Sequence, residues 1–522
     1  MMSTPMQVSI SDYVFTYGLE YPGRVAMSSE FGDLSYGELS ARVQQLAQSL
    51  LALGIKPGDR VAVLTTPRAD AYSLFIALNA VGAIWVGINP VYQYEEMAYV
   101  VSDAQPVALV FLSEFQGRSY TDDVKRLANE HPCLNNVLCL DSELKSFQSL
   151  PGLLEERIAS RSTDLALPKI NEDDVAMIVY TSGSTGQPKG CMLPNKAMVY
   201  RANVQWQQFK VSDYPRVFCP LPLNHVGGMQ MVAGAALIGG GTVNFRQKFN
   251  PAEVGDVIQA GQINFMVMFP TMYQLLIDDP TFDREKYNSL ECINFSGGVI
   301  SRELLEQLRQ LGNGRVQTCF GSTETCVGVV FSDPDLDPEV LAISVGKPIN
   351  DDCRVMSDLG EHCKAGEVGE FQVKPDYCMV GYFKRPEATK EAFTSDGWLR
   401  SGDLVEVLPD GNFKFSARRS EMYKSGGYNI YPREVEICIE SHPDVISAAV
   451  VGIPDKLYGE VGYAYVLAPE GKDLAEQVLK SWCKDKISNY KVPKIIEKVQ
   501  AMPLLPNGKL DKVSLRAKAE ST

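Results

Sequence analysis

The sequence predicts an α/β protein: a large N-terminal domain of layered α/β subdomains ending in a β-rich subdomain, then a small α/β C-terminal domain. Three observations predict it. From residue 34 onward, helical and strand-like periods alternate. Near 366–415 they give way to short strands with turn residues, "GEVGEFQV" and "GNFKFSARR". After "KSGGYNIYPREVE" (424–436) a fresh α/β unit begins. At 522 residues the chain also exceeds what one hydrophobic core usually serves.

Taken in order, Ser35 and Glu38 form a capping box ahead of Leu39, Val43, Leu46 and Leu50 at helical spacing. "GIKPGD" (54–59) ends that helix, and "RVAVLT" (60–65) reads as a buried strand. Helix "AYSLFIALNAVG" (71–82), strand "AIWVGI" (83–88), helix "YEEMAYVVSD" (94–103) and strand "VALVFL" (107–112) follow. Strands alternating with helices imply right-handed crossovers and a largely parallel sheet covered on both faces. The more polar stretch 141–172 reads as a linker between subdomains. "DVAMIVY" (174–180) is another buried strand, and the loop "YTSGSTGQPKG" (180–190) leaves its carboxyl end, where open α/β sheets bind ligands. In the last part, a helix near 433–441, strands "VISAAVVGI" (445–453) and "GYAYVLAP" (462–469), and a helix from about 474 form the small domain. The boundary is expected near 418–421, giving domains 1–418 and 421–522.

Composition narrows the function. Apolar residues are 45% and charged residues 22%, the mix of a globular chain. A net charge of -15 argues against a nucleic-acid partner, since a phosphate backbone needs a basic face. It leaves room for a small anion held by a few cations and backbone N–H groups. The twelve cysteines are scattered without a Cys-x-x-Cys pair, as in reduced thiols of a cytoplasmic protein. None of the four histidines, His131, His225, His362 and His442, is at metal-ligand spacing from another, which argues against zinc. "MMSTPMQVSI" lacks the features of a signal peptide, and the apolar run 231–243 is too short to span a bilayer.

The loop 180–190 is the strongest local signal. Glycines after a strand expose backbone N–H groups, hydroxyls add donors, and together they can wrap phosphate oxyanions. An exposed linker would have a similar composition. A Walker-type loop would need Gly-Lys-Ser/Thr at its end, whereas Lys189 lies between Pro188 and Gly190. Further motifs follow: "PLNHVGG" (222–228), "NFSGG" (294–298), "FGSTE" (320–324), "GWLRSGD" (397–403), "ARRSEMYKSGGYNIYPREVE" (417–436) and "PNGKL" (506–510). With the loop, and in this order, they resemble the adenylate-forming superfamily of acyl-CoA and aryl-CoA ligases, peptide-synthetase adenylation domains and luciferases. The resemblance spans most of the chain and implies that family's fold, with a mobile C-terminal domain.

It also implies a chemistry. A carboxylate is a poor electrophile; transfer of AMP from ATP makes it a mixed anhydride and releases pyrophosphate, which requires two anions to be held together. By resemblance, Thr181, Ser182, Ser184, Thr185 and Lys189, with Gly183 and Gly186, hold the β- and γ-phosphates. Thr323 contacts the α-phosphate, and Glu324 holds Mg²⁺, a cation suited to hard oxygen ligands. Phe320, in the family's usual tyrosine position, packs on adenine beside Gly321 and Ser322, with Gly297, Gly298 and Val299 along the other side of the base. Asp403 accepts the ribose hydroxyls, assisted by Arg418. Lys509 bridges the carboxylate and the α-phosphate; one positive charge about 4 Å from each anion offsets several kcal/mol of repulsion at an effective dielectric near 20. Ser420, Ser425, Gly426 and Gly427 fall on the hinge and the coenzyme A channel. Taken singly, Glu324 reads as a surface charge, Asp403 as a turn residue, Phe320 as core and Lys509 as a solvated lysine; their joint order along the chain favours function. Departures from the family pattern are Ser420 for Asp or Lys, Asn195 for histidine and Ala417 for glycine.

Alone, His225 beside an apolar segment reads as a structural histidine; by the same resemblance it takes a gating or substrate-orienting role between the acyl pocket and the route of the thiol. Val226, Gly227, Met229, Phe269, Met272, Ser296, Cys319, Gly321 and Cys326 form the expected acyl pocket, apolar and of small to medium size, for an aliphatic or aromatic monocarboxylate. Amino acids are disfavoured: Asn224–His225 stands where amino-acid-activating relatives place an aspartate for the ammonium, which would cost several kcal/mol to bury unpaired. Three functions remain: a ligase using coenzyme A, an adenylation enzyme loading an acyl carrier protein, and an inactive nucleotide-binding homologue. The complete set of Lys189, Thr323, Glu324, Asp403, Arg418 and Lys509 speaks against the last. The expected state is a monomer or homodimer.

Overall fold

The computed structural model describes residues 6–141, 144, 147–153, 155, 165–181, 188–298, 300–426, 428–469, 471–472, 474–504 and 510–521. The chain divides into two compact units, Met1–Cys353 with Val373–Leu399, and Arg354–Gln372 with Arg400–Thr522.

Two large sheets build the first unit. One has eight strands in the order Gly381–Tyr382, Lys189–Pro194, Val175–Thr181, Ile84–Ile88, Arg60–Leu64, Ala108–Phe111, Asn136–Cys139 and Gln148–Ser149. From Val175–Thr181 onward all neighbours are parallel, and the first two joins are antiparallel. The crossovers are helices Ala69–Ala80, Tyr94–Ala104 and Thr121–Glu130. Ahead of them, helix Tyr36–Ala52 carries the expected capping box, with Ser35 N donating to Glu38 Oε2 at 2.8 Å, and it buries Leu39, Val43, Leu46 and Leu50. Helix Ala69–Ala80 is buried at every residue except Asp70, as a helix apolar all round must be. It packs on helices Ile10–Glu20 and Tyr36–Ala52.

The second sheet has nine strands, in the order Lys347–Pro348, Gly328–Phe331, Val316–Gly321, Cys292–Phe295, Phe265–Met268, Arg216–Cys219, Thr242–Phe245, Val25–Ser29 and Gly32–Ser35. Its middle is parallel and its edges antiparallel, and Phe218, Met266, Ile293 and Val316 contribute to the core on one of its faces. Asn195 has a structural task in this unit: its Oδ1 accepts from Asn79 Nδ2 at 2.7 Å, and its Nδ2 donates to the Asn171 carbonyl at 3.2 Å.

The second unit holds a four-stranded sheet, Cys353–Met356, Val368–Val373, Leu399–Val407 and Phe413–Arg418, and a five-stranded one. In the five-stranded sheet Gly459–Leu467 is the hub, pairing with Ser447–Asp455, Tyr423–Ser425 and Ile495–Val499, while Tyr428–Ile430 closes a hairpin on Tyr423–Ser425. Helices Pro432–Glu440 and Glu476–Lys484 bury Val435, Ile439 and Leu479 in one core cluster. The four-stranded sheet is thus grouped by packing with the C-terminal residues. All twelve cysteines are free thiols, nine of them buried. Among the described residues, no helix is long and apolar enough to cross a membrane.

Candidate active site

Thr181, the last residue of its strand, pairs with Lys189, the first of the next. The antiparallel ladder therefore clamps both ends of the glycine-rich loop, whose residues Ser182, Gly183, Ser184, Thr185 and Gly186 lie outside the described residues. Strand Lys189–Pro194 pairs on its other side with Gly381–Tyr382, placing Tyr382 opposite Cys191. The Tyr382 ring takes the Lys189 ammonium over its face, with Nζ 4.5 Å from the centroid. Its hydroxyl donates to Glu324 Oε1 at 2.9 Å. Sequence offers no signal for Tyr382 beyond an aromatic after glycine, since only a strand pairing across nearly 200 positions brings it here.

Glu324 belongs to a tight turn that leaves strand Val316–Gly321. A Cβ on Gly321 would meet the Val327 carbonyl oxygen at 2.1 Å, so this crossing requires glycine. Ser322 N donates to Thr325 Oγ1 at 2.8 Å, and Cys326 N donates to the Thr323 carbonyl at 2.9 Å. Thr325 is buried, and its hydroxyl is what shapes the "GSTE" turn. Met379 N also donates to the Glu324 carbonyl at 2.8 Å. Among the described residues neither the Thr323 hydroxyl nor Glu324 Oε2 takes a hydrogen bond, so two oxygens on adjacent residues of a fixed turn stay available to a ligand. Phe320, half-buried, is the last residue but one of the strand beside this turn.

Of the expected acyl-pocket residues, Ser296 and Cys319 converge on Met231, with Ser296 Oγ 3.8 Å and Cys319 Sγ 3.6 Å from its sulfur. Met231 is absent from the expected set; it lies in the π-helical stretch Gly227–Gly234, which apolar periodicity does not announce. Burial pushes the Cys319 thiol up to about 12, so this lining is neutral at physiological pH. Phe269 packs against Gly297, whose φ of +75° and distance of 2.8 Å from a built Cβ to the Phe269 ring both require glycine. Gly298 follows in the same bend, and Val299 lies outside the described residues. Met272 packs on the hydrophobic core of this unit. Met229 is fully enclosed, and its carbonyl accepts from Tyr72. Cys326 is enclosed too, and burial raises its thiol pKa, with Arg201 opposing. Val226 precedes the π-helical stretch and is buried. His225 is half-buried, and its Nδ1 accepts from Gly227 N at 3.0 Å, which puts the proton of the neutral ring on Nε2.

In the second unit, Asp403 and Arg418 are register partners on strands Leu399–Val407 and Phe413–Arg418. Asp403 N donates to Ser401 Oγ at 3.0 Å, and Gly402 between them adopts a φ of +72°. Ser420 lies exposed in the turn after this strand pair. Ser425 is buried, and Gly426, with a φ of +57°, donates its N–H to the Tyr458 carbonyl at 2.8 Å. Gly427 and Lys509 lie outside the described residues.

A family model described as AMP-binding enzyme matches residues 16–383, and one described as AMP-binding enzyme C-terminal domain matches residues 434–509. A feruloyl-CoA synthase of Amycolatopsis sp is 33% identical over 486 residues, 92% of this chain and 93% of that protein. A 2-succinylbenzoate–CoA ligase of Bacillus licheniformis is 31% identical over 489 residues, 94% of this chain and 96% of its own length. Among solved structures, ATP-bound MatB from Rhodopseudomonas palustris superposes with a TM-score of 0.87 at 26% identity, covering 99% of each chain. The o-succinylbenzoate CoA synthetase MenE of Bacillus subtilis, solved with its acyl-adenylate intermediate, gives 0.82 at 27% identity over 98% of each chain.

Proposed function

This chain belongs to the AMP-binding enzyme family, and we propose that it is an AMP-forming carboxylate–CoA ligase acting on a hydrophobic aliphatic or aromatic acid. The observation that carries the reading is the pinned turn at Thr323–Glu324, with its two available oxygens, tied through Tyr382 to the residue that ends the glycine-rich loop. In the first half-reaction Thr181 and Lys189, with the loop residues Ser182, Ser184 and Thr185, hold the β- and γ-phosphates. Thr323 meets the α-phosphate, Asp403 takes the ribose hydroxyls, and Lys509 draws the carboxylate and the α-phosphate together as pyrophosphate leaves.

Glu324 suits a hard divalent cation. It offers carboxylate oxygen, and among the described residues no three His, Cys, Asp or Glu are placed to cage a metal. An ion held there would complete its shell with phosphate oxygens and water, the usual pattern for Mg²⁺. When bound, Mg²⁺ neutralises charge on the phosphates. In the second half-reaction the C-terminal domain turns about a hinge near 418–421, and coenzyme A reaches the acyl-AMP past Ser425, Gly426 and Gly427. Met231, Cys319 and Ser296 support an apolar acyl pocket, and two relatives are named for aromatic acids. Free thiols throughout fit a reducing, cytoplasmic setting.

The test is to screen acids by pyrophosphate release, then supply coenzyme A alone. Stoichiometric consumption of the thiol with release of AMP is expected. Acyl-AMP that only a phosphopantetheinyl carrier protein discharges would establish the carrier-loading alternative, and no pyrophosphate from any acid would mark an inactive homologue.

A further inference from the structure

Glu324 and Lys189 approach the same tyrosine, yet among the described residues no ion pair joins them. The tyrosine keeps them in separate roles. Its ring face holds the ammonium and its hydroxyl holds the carboxylate. A lysine paired directly with Glu324 would neutralise the charge that a cation needs. A phenol O–H fixes one carboxylate oxygen while leaving the group its full negative charge.

The placement is over-determined. Tyr382 is buried at 9% exposure. The segment around it is fastened at three points: Met379 N to the Glu324 carbonyl at 2.8 Å, Val380 N to the Met192 carbonyl at 3.0 Å, and Phe383 N to the Gly190 carbonyl at 2.7 Å. This segment therefore straps the Thr323–Glu324 turn to the strand that begins at Lys189.

We infer that Tyr382 is a positioning residue that orients Glu324 toward a divalent cation and keeps the Lys189 ammonium off that carboxylate, an inference that rests on the metal-holding reading of Glu324. Two substitutions separate its functions. Tyr382→Phe removes the hydroxyl and keeps the ring face, whereas Tyr382→Leu removes both.

The experiment titrates Mn²⁺ into the full-length protein saturated with ATP, without acid so that nothing turns over, and reads bound ion by electron paramagnetic resonance. ATP affinity in EDTA is measured separately by calorimetry. Tyr382→Phe is expected to weaken Mn²⁺ binding about 10- to 100-fold, the range for losing a group that orients a metal ligand, with ATP affinity in EDTA unchanged. Tyr382→Leu is expected to weaken Mn²⁺ binding similarly and also to lower ATP affinity in EDTA by roughly 2- to 30-fold as Lys189 loses its ring. Glu324→Ala is the reference. If it abolishes Mn²⁺ binding while Tyr382→Phe leaves it unmoved, the inference is overturned and the reading of Glu324 stands. If Glu324→Ala leaves Mn²⁺ binding unmoved as well, both fall.

Discussion

Arg418 Nε stands 2.8 Å from Asp403 Oδ1, joining a carboxylate side chain only 2% exposed to an arginine side chain 43% exposed. The carboxylate is thus desolvated and compensated at once, while its partner still meets water. A buried charge held this way is stiff and remains a strong acceptor, which suits a pair of ribose hydroxyls. Asp403→Asn keeps the shape and removes the charge. The KM for ATP is expected to rise about 10- to 100-fold, the equivalent of a charged hydrogen bond worth roughly 1.5–3 kcal/mol. Steady-state ATP–pyrophosphate exchange measures it, and an unchanged KM would take Asp403 out of nucleotide binding.

The proposed alternation of the C-terminal domain makes two of its residues fail in opposite ways. Lys509→Ala is expected to nearly abolish acyl-AMP formation while leaving supplied acyl-AMP convertible to acyl-CoA. Gly427→Leu is expected to permit adenylation but slow thioester formation, because a branched side chain narrows the thiol's passage. Single-turnover assays of each step decide. Equal slowing of both steps by Lys509→Ala would mean that one static site performs all the chemistry.

Lys512 is tied to Glu421 and Glu436, each 2.8 Å away. Lys512→Met removes both pairs, but Glu436 still accepts from Val450 N at 2.9 Å and keeps Arg433 at 3.4 Å. The expected loss is therefore about 2–3 kcal/mol, below the 3–5 of a fully orphaned buried charge. Burial works to lower the Lys512 pKa, but Glu436 and Glu421 outweigh it and raise it above the usual lysine value. A raised folded value means the contribution is complete below the unfolded lysine's pKa and is lost as pH climbs through the folded one. Denaturation midpoints of parent and variant are expected to differ at neutral pH and to converge in strong alkali; equal midpoints at pH 7 would discount the pairs.

Local features were legible in the sequence and distant pairings were not. The Ser35–Glu38 capping box and the buried strands at 60–64, 84–88 and 108–111 are set by near neighbours, so periodicity finds them. Which strands share a sheet depends in part on distant pairings such as Met27 with Val243 and Cys191 with Tyr382, and periodicity is silent there. The same silence hides Tyr382, which reaches the site through pairing with strand Lys189–Pro194. Asn195, a departure from the family pattern by sequence, is explained by its amide bridge between Asn79 and Asn171. Met231 escaped because a π-helical stretch shifts side chains off the 3.6-residue period.

The free thiols make the chain its own gauge of local opening. Burial pushes Cys219, Cys292 and Cys319 up to about 12, so at neutral pH on the order of one in 10⁵ is thiolate. An alkylating reagent must wait for the surrounding structure to part before it can react. Cys139 and Cys191 sit in the eight-stranded sheet, Cys219 and Cys292 in the nine-stranded one, and Cys438 and Cys483 on helices of the second unit. Mass spectrometry of the order in which these six positions are alkylated would therefore rank the breathing of three separate cores, in a protein that needs no label engineered into it.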